Sequence, residues 1–188
     1  MVPTQPSPRG YTPHMEPDTV RILEAAAPEE IADVRRLFGA YASSLGWDLN
    51  SGWIADELAG LPGAYAPPRG SLMLARVGDA GAGALGLQPV PEAARVAGVG
   101  AERAGELKRL FVDPEFRRHG VGEALMKRAE AEALARGYDG LVLTTSAEMM
   151  PLAQHFYESL GYVETAPYRD DMPYPSIRWM RKELSASR

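Results

Sequence analysis

Residues 105–126 read GELKRLFVDPEFRRHGVGEALM, and this stretch decides the fold. Glu106–Val112 reads as a strand, Asp113-Pro114 as a turn, and Arg117-Arg118-His119-Gly120-Val121-Gly122 as the mouth of a helix. A strand feeding a glycine-containing loop that opens a helix is a physical means of holding a phosphate. The loop's N–H groups lack partners, the helix dipole adds partial positive charge, and glycine lets the chain approach closely. The two best-known phosphate loops do not fit: there is no Gly-x-x-x-x-Gly-Lys-Ser/Thr, and no Gly-x-Gly-x-x-Gly follows a first strand. Taken alone, Arg117-x-x-Gly120-x-Gly122 also describes an ordinary helix start with two solvated arginines, so its surroundings decide.

Downstream, the helix is expected from about Gly120 to Arg136, stopped by Gly137, and Leu141–Thr145 makes a short β-branched strand. Pro151 sits in the first turn of a further helix to Leu160, capped by Gly161. Tyr162–Ala166 and Ser176–Lys182 form two last strands around a proline-rich turn. Upstream, Ser71–Val77 and Ala84–Val90 make a hairpin across the glycine-rich Gly78–Gly83, and residues 91–104 are a longer connection. Thr19–Ala25 is the first strand. Pro28, Glu29 and Glu30 then start a helix on which Ile31, Val34, Leu37, Phe38, Tyr41 and Leu45 recur at helical spacing, and a shorter helix covers Gly52–Leu61. The order β-α-α-β-β-β-α-β-α-β-β describes a single α/β domain, a sheet of about six to seven strands with about four helices. It spans residues 18–184, after a flexible arm at 1–17 that holds five prolines and before a short tail at 185–188.

A chain of 188 residues can bury one substantial core. The net charge of −5 argues against nucleic acid as a bulk partner, although Lys108, Arg109, Arg117 and Arg118 form a local basic spot. With no cysteine, disulfides, thiolate metal sites and cysteine nucleophiles are excluded. Three scattered histidines, His14, His119 and His155, argue against a metal site. The chain starts without an apolar leader and has no run of membrane-spanning length, so no membrane partner and a cytoplasmic location are expected.

The segment ELKRLFVDPEFRRHGVGEALM resembles the central motif of the GNAT superfamily of N-acetyltransferases, in which an Arg/Gln-x-x-Gly-x-Gly/Ala loop wraps the pyrophosphate of acetyl-coenzyme A. Ala153–Tyr162, AQHFYESLGY, resembles the family's later helix and strand, with a tyrosine four residues before a Gly-aromatic pair. The order of elements agrees over roughly residues 19–184. The resemblance implies a mixed central sheet whose fourth and fifth strands splay apart, and acetyl-coenzyme A as co-substrate with no metal. It further implies that main-chain groups of Leu110 and Val112 pair with the pantetheine arm as an added strand would. Arg117, Arg118, His119, Gly120, Val121 and Gly122 would surround the pyrophosphate, with both glycines leaving room for the approach. Lys127 is either a contact for the 3′-phosphate or a helix-surface lysine. Met150 departs from the family pattern: many relatives carry there an asparagine that contacts coenzyme A, and a thioether cannot replace its amide.

By the same resemblance, Tyr157 is the general acid that protonates the departing thiolate. A phenol of pKa about 10 is protonated at neutral pH, and a thiol of about 8.5 leaves a moderately basic thiolate. Glu106, eleven residues before Arg117, holds the position from which some relatives use a strand carboxylate as base. Period-2 alternation places it on one face with Lys108, Leu110 and Val112, and an ion pair with Lys108 would reduce its basicity. A structural glutamate, His155 and a water chain stay open as alternatives.

The acceptor is a small-molecule or peptide amine. Its cleft would draw on Tyr41, Trp47, Asp48, Trp53, Asp56, Glu57, Tyr65, Tyr168, Asp170, Asp171 and Tyr174, aromatic and acidic residues that suit a cation or simply fill a core. A non-catalytic acyl-coenzyme A binding or sensing domain on the same fold is the rival reading. The oligomeric state stays open, a homodimer being common among relatives.

Overall fold

Seven stretches of alternating or continuous apolar residues pair into one sheet in the order β1-β2-β3-β4-β5-β7-β6. The strands are β1 (Val20–Glu24), β2 (Ser71–Val77), β3 (Ala80–Pro89), β4 (Ala104–Val112), β5 (Gly140–Ser146), β6 (Val163–Glu164) and β7 (Ile177–Glu183). Among the described residues four α-helices flank them: α1 (Pro28–Ser44), α2 (Gly52–Ala59), α3 (Val121–Ala135) and α4 (Ala153–Ser159). The computed structural model describes residues 19–50, 52–91, 96, 100–170 and 175–185; the expected arm at 1–17 and residues 186–188 of the tail fall outside these. Among the described residues no helix is long and apolar enough to cross a membrane.

Helix α1 starts where its sequence says it should. Pro28 occupies the first turn, and the Glu30 carboxylate accepts from the N–H groups of Ala26 and Ala27 at 2.9 Å each. Those bonds hold the Glu30 carboxyl below the usual carboxylate range. Val34, Leu37, Phe38 and Ala42 are fully buried on one stripe, against Leu72 and Leu74 of β2 and Ile54 and Leu58 of α2. On the opposite face of the sheet, α3 lays Val121, Leu125, Met126, Ala129 and Ala133 over Leu85, Leu107, Leu141 and Leu143. Each fully buried leucine or methionine here contributes about 1.5–3 kcal/mol. A third, smaller cluster of Val90, Ala104, Val142, Tyr168 and Trp179 closes the end of the sheet.

Neighbouring strands are antiparallel except β4 and β5, which run parallel. That pairing covers only Ala104–Leu107 against Gly140–Leu143, although both strands continue. Beyond Leu107 and Leu143 they part, which is the splay that the resemblance implies.

The hairpin turn is tighter than expected: Gly78 and Asp79 make it, and β3 begins at Ala80. Residues 80–83 look like turn by composition but belong to a strand of small residues, pressed between α1 and α3. Gly86 shows why small is needed. The Tyr65 ring occupies the place of its missing side chain, 2.4 Å from where a Cβ would stand. Strand β6 is also shorter than expected: Tyr162 is buried and its N–H donates to Tyr157 O at 3.1 Å, closing the helix before it.

Candidate active site

The loop between β4 and α3 is fixed at its start by Asp113. Its N–H donates to Ala82 O at 2.9 Å, its carboxylate accepts from Glu115 N at 3.3 Å, and Arg36 stands 3.5 Å away. Two residues then adopt left-handed backbone, Arg118 at φ 67° and Gly120 at φ 75°. Gly120 is the N-cap of α3 and has no side chain to offer, so the first N–H groups of the helix end in the loop without a side-chain cap. The expectation that both glycines leave space is thereby refined. A Cβ at Gly120 would meet nothing within 4 Å, so glycine is needed there for its positive φ. A Cβ at Gly122 would meet Phe156 Cζ at 3.4 Å, an ordinary contact. Arg118 and His119 are exposed, while Arg117 folds back, its Nε donating to Val112 O at 3.2 Å. One main-chain group of Val112 is therefore already engaged within the chain.

Where β4 and β5 part, a cavity opens that is lined by Leu107 and Leu110 of β4, Leu143 and Thr144 of β5, Met126 and Tyr157 among others. Met150 also reaches it, from the loop before α4. The Tyr157 ring packs edge-on against Phe156 and Tyr162, at 5.5 and 6.0 Å between centroids. Burial there pushes its hydroxyl above the usual phenol value, and the nearby Tyr41 adds to the effect. His155, on the same short helix, faces solvent.

The face-sharing expected along β4 does not hold. Leu107 pairs with Leu87 and Lys108 with Gly86, yet Phe111 pairs with Ala84, so Arg109 and Leu110 together oppose the single residue Leu85. This β-bulge carries Arg109 at φ 60°, an uncommon conformation for a side-chain-bearing residue. The extra residue inverts the alternation. Leu110 and Val112 join Leu107 on the α3 side, whereas Phe111 packs with the α1 and α2 core. Glu106 thus lies across the sheet from Leu110 and Val112, on the face that Lys108 shares.

Glu106 is also wholly buried rather than open to an acceptor. Its Oε1 accepts from Tyr168 OH at 2.9 Å and its Oε2 from Gln88 Nε2 at 2.9 Å, with Arg169 Nη1 at 3.3 Å and Lys108 Nζ at 3.7 Å. Both oxygens are engaged, so this carboxylate ties β3, β4 and the segment before β7 together.

The bulge turns Arg109 into the aromatic group expected for the acceptor. Its guanidinium lies 4.8 Å over Trp53, 5.2 Å over Trp47 and 6.0 Å over Tyr41, and it pairs with Glu57, to which Tyr65 OH also donates at 2.6 Å. The cation that these rings surround belongs to the protein itself. Asp56, Glu57, Tyr65 and Gln88 border a neighbouring groove. Of the other residues expected there, Tyr168 is buried against Trp179, Asp170 is exposed, Asp48 accepts from Asn50 N at 2.9 Å, and Asp171 and Tyr174 lie outside the described residues. Arg109 was legible only as a member of a basic spot, and Lys108 as that and as an ion-pair partner of Glu106, which it is at 3.7 Å; the bulge that aims Arg109 has no marker in the sequence.

A mixed sheet splits at its central parallel pair, beside a helix start without a side-chain cap. An acetyltransferase of the GNAT family from Staphylococcus aureus Mu50 has the same fold, with a TM-score of 0.65 at 20% identity over 89% of this chain and all of that one. Residues 33–162 match the Acetyltransferase (GNAT) family, and the chain belongs to it. It is 33% identical over 171 residues to an uncharacterized N-acetyltransferase of Schizosaccharomyces pombe, covering 91% of this chain and 99% of that one. It is also 34% identical over 80 residues, 43% of this chain and 52% of the other, to an IAA acetyltransferase of Azospirillum brasilense. The protein is an N-acetyltransferase, an enzyme of acyl transfer.

Proposed function

We propose that the protein transfers the acetyl group of acetyl-coenzyme A to a primary amine by direct attack within a ternary complex. The observation that carries this is the parting of β4 and β5 beyond Leu107 and Leu143, with Tyr157 bordering the opening. A strand edge left unpaired at Leu110 suits the pantetheine amides, as an added strand would. The pyrophosphate then meets the start of α3, with Gly120, Val121 and Gly122 offering N–H groups and Arg117, Arg118 and His119 adding positive charge and donors. With no cysteine in the sequence, no thiol is available for an acyl-enzyme.

In the step itself the amine lone pair forms the C–N bond at the thioester carbonyl. The oxyanion is met by a main-chain N–H of β4 near Leu110, and collapse breaks the C–S bond. Tyr157, protonated at neutral pH and made a weaker acid by burial, donates its proton to the sulfur as the C–S bond breaks. The ammonium proton of the acceptor leaves by way of water. Glu106 enters as a positioning carboxylate, since its oxygens are engaged by Tyr168 and Gln88.

Thiol release from acetyl-coenzyme A in the presence of a broad amine panel tests the reading. Turnover of at least one primary amine, with initial rates that intersect when both substrates are varied, is expected. Parallel lines, or silence from every amine despite coenzyme binding, would overturn it.

A further inference from the structure

The fork between β4 and β5 has a closed end as well as an open one. Leu107 and Leu143 are the last residues paired across it, and both line the cavity that opens beyond them. Met126 of α3 and Leu85, opposite the bulge of β4, line it too. None of these four is more than 4% exposed. They pack into one cluster with Leu125, Ala129 and Leu141, which are wholly buried. The closed end of the fork is thus the surface of the main core.

Direction decides what meets that end. The loop before α3 follows Val112 in the chain, at the open end of the fork. A donor whose pyrophosphate lies in this loop runs its pantetheine arm back along β4, from Val112 toward Leu110. Its thioester then stands near Leu110, beside Tyr157, and its acyl group continues toward Leu107 and Leu143. The free space in the cavity is about 20 Å³, whereas one water-sized sphere takes about 10–15 Å³. A methyl group, close to water in size, fits there. A second carbon has to displace packed side chains, and close-packed interiors resist an added methylene because neighbours are forced off their rotamers.

We propose that Leu107, Leu143 and Met126 form a closed seat for one methyl group. Acyl length is read at the foot of the fork, and propionyl- and butyryl-coenzyme A are rejected in favour of acetyl-coenzyme A. This rests on the reading of the cleft as the donor site.

Calorimetric titration with acetyl-, propionyl- and butyryl-coenzyme A tests the seat without an acceptor. Thiol release with any amine that is turned over repeats the comparison in kcat/KM. Acetyl-coenzyme A is expected to lead propionyl-coenzyme A by about tenfold or more in both, the discrimination that one methylene brings in an apolar pocket, with butyryl-coenzyme A weaker still. Leu143→Val removes one methylene from the seat and places a β-branched side chain in a strand, where it is favoured. It should close most of that lead while affinity for coenzyme A itself is retained, and Met126→Ala should do the same. A merely structural loss would lower all donors alike and leave their ratio in place. Propionyl-coenzyme A bound or used as well as acetyl-coenzyme A by the unaltered protein overturns the inference, whether or not a variant folds. So does a ratio that stays unmoved in the folded variants. Silence from every amine, with acetyl-coenzyme A still leading in binding, overturns the transferase reading and leaves the seat standing; failure of all three thioesters to bind overturns both.

Discussion

Arg109 and Glu57 form a two-point ion pair across the acceptor side, with Nη2–Oε2 at 2.7 Å and Nε–Oε1 at 3.2 Å. The two side chains are 8% and 20% exposed. Removing one partner leaves a desolvated charge behind, so Glu57→Leu alone should cost about 3–5 kcal/mol. Replacing both, as in Arg109→Met with Glu57→Leu, should cost less than the two single changes added together. Urea denaturation of the four proteins measures the difference; strictly additive losses would mean that the pair does not couple.

Tyr157→Phe removes the hydroxyl and keeps the ring against Phe156 and Tyr162. We expect kcat to fall by about 10²–10⁴-fold while affinity for acetyl-coenzyme A is retained, the signature of a lost general acid. Steady-state kinetics with calorimetric binding separate the two, and an undiminished kcat would remove Tyr157 from the mechanism.

The two glycines of the loop should respond differently. Gly120→Ala forces a Cβ onto a backbone at φ 75°, which destabilises by about 1–2 kcal/mol and disturbs the start of α3. Gly122→Ala has room, with Phe156 Cζ at 3.4 Å, so stability should hold while coenzyme affinity drops if a phosphate approaches that atom closely. Denaturation midpoints and coenzyme A titrations on both variants check the contrast.

Burial holds the hydroxyls of Tyr41, Tyr65, Tyr157 and Tyr162 above the ordinary tyrosine value. The folded protein therefore keeps protons that the unfolded chain releases above about pH 10. Their contribution is fully present below that pH and is lost as pH rises further, because the unfolded state then binds fewer protons. Lys108, held low by burial, works in the opposite sense, but it is one group against four. Urea midpoints should change little from these groups between about pH 7 and 9 and drop by about pH 11; a midpoint that rises there would contradict the assignment.

Much of the fold was legible because local signals and the final packing agree. Pro28, Glu29 and Glu30 start α1 as charge and φ preferences dictate, and Ser71–Val77 is a strand in sequence and in structure alike. The site was less so. Glu106 owes its burial to Tyr168, sixty-two residues away, and no local pattern announces that bond. The bulge at Arg109 arises from the register of β3 against β4, where two residues meet one Leu85. Alternation along β4 alone therefore put Leu110 and Val112 on the wrong face. In the same way, residues 80–83 have the composition of a turn, and only the helices on both sides of the sheet make them a strand.

Four residue pairs, Ala104–Gly140 to Leu107–Leu143, are all that joins β4 to β5. Mechanically the sheet is two leaves on one short hinge: β1 to β4 on one side, and β5, β7 and β6 on the other. Helix α3, packed on β3, β2 and β4 as well as on β5, is the clasp across that hinge. The same helix begins at Gly120, in the loop read as the phosphate seat. A coenzyme settled there would therefore brace the two leaves against each other, so that filling the cleft and stiffening the whole sheet become a single event.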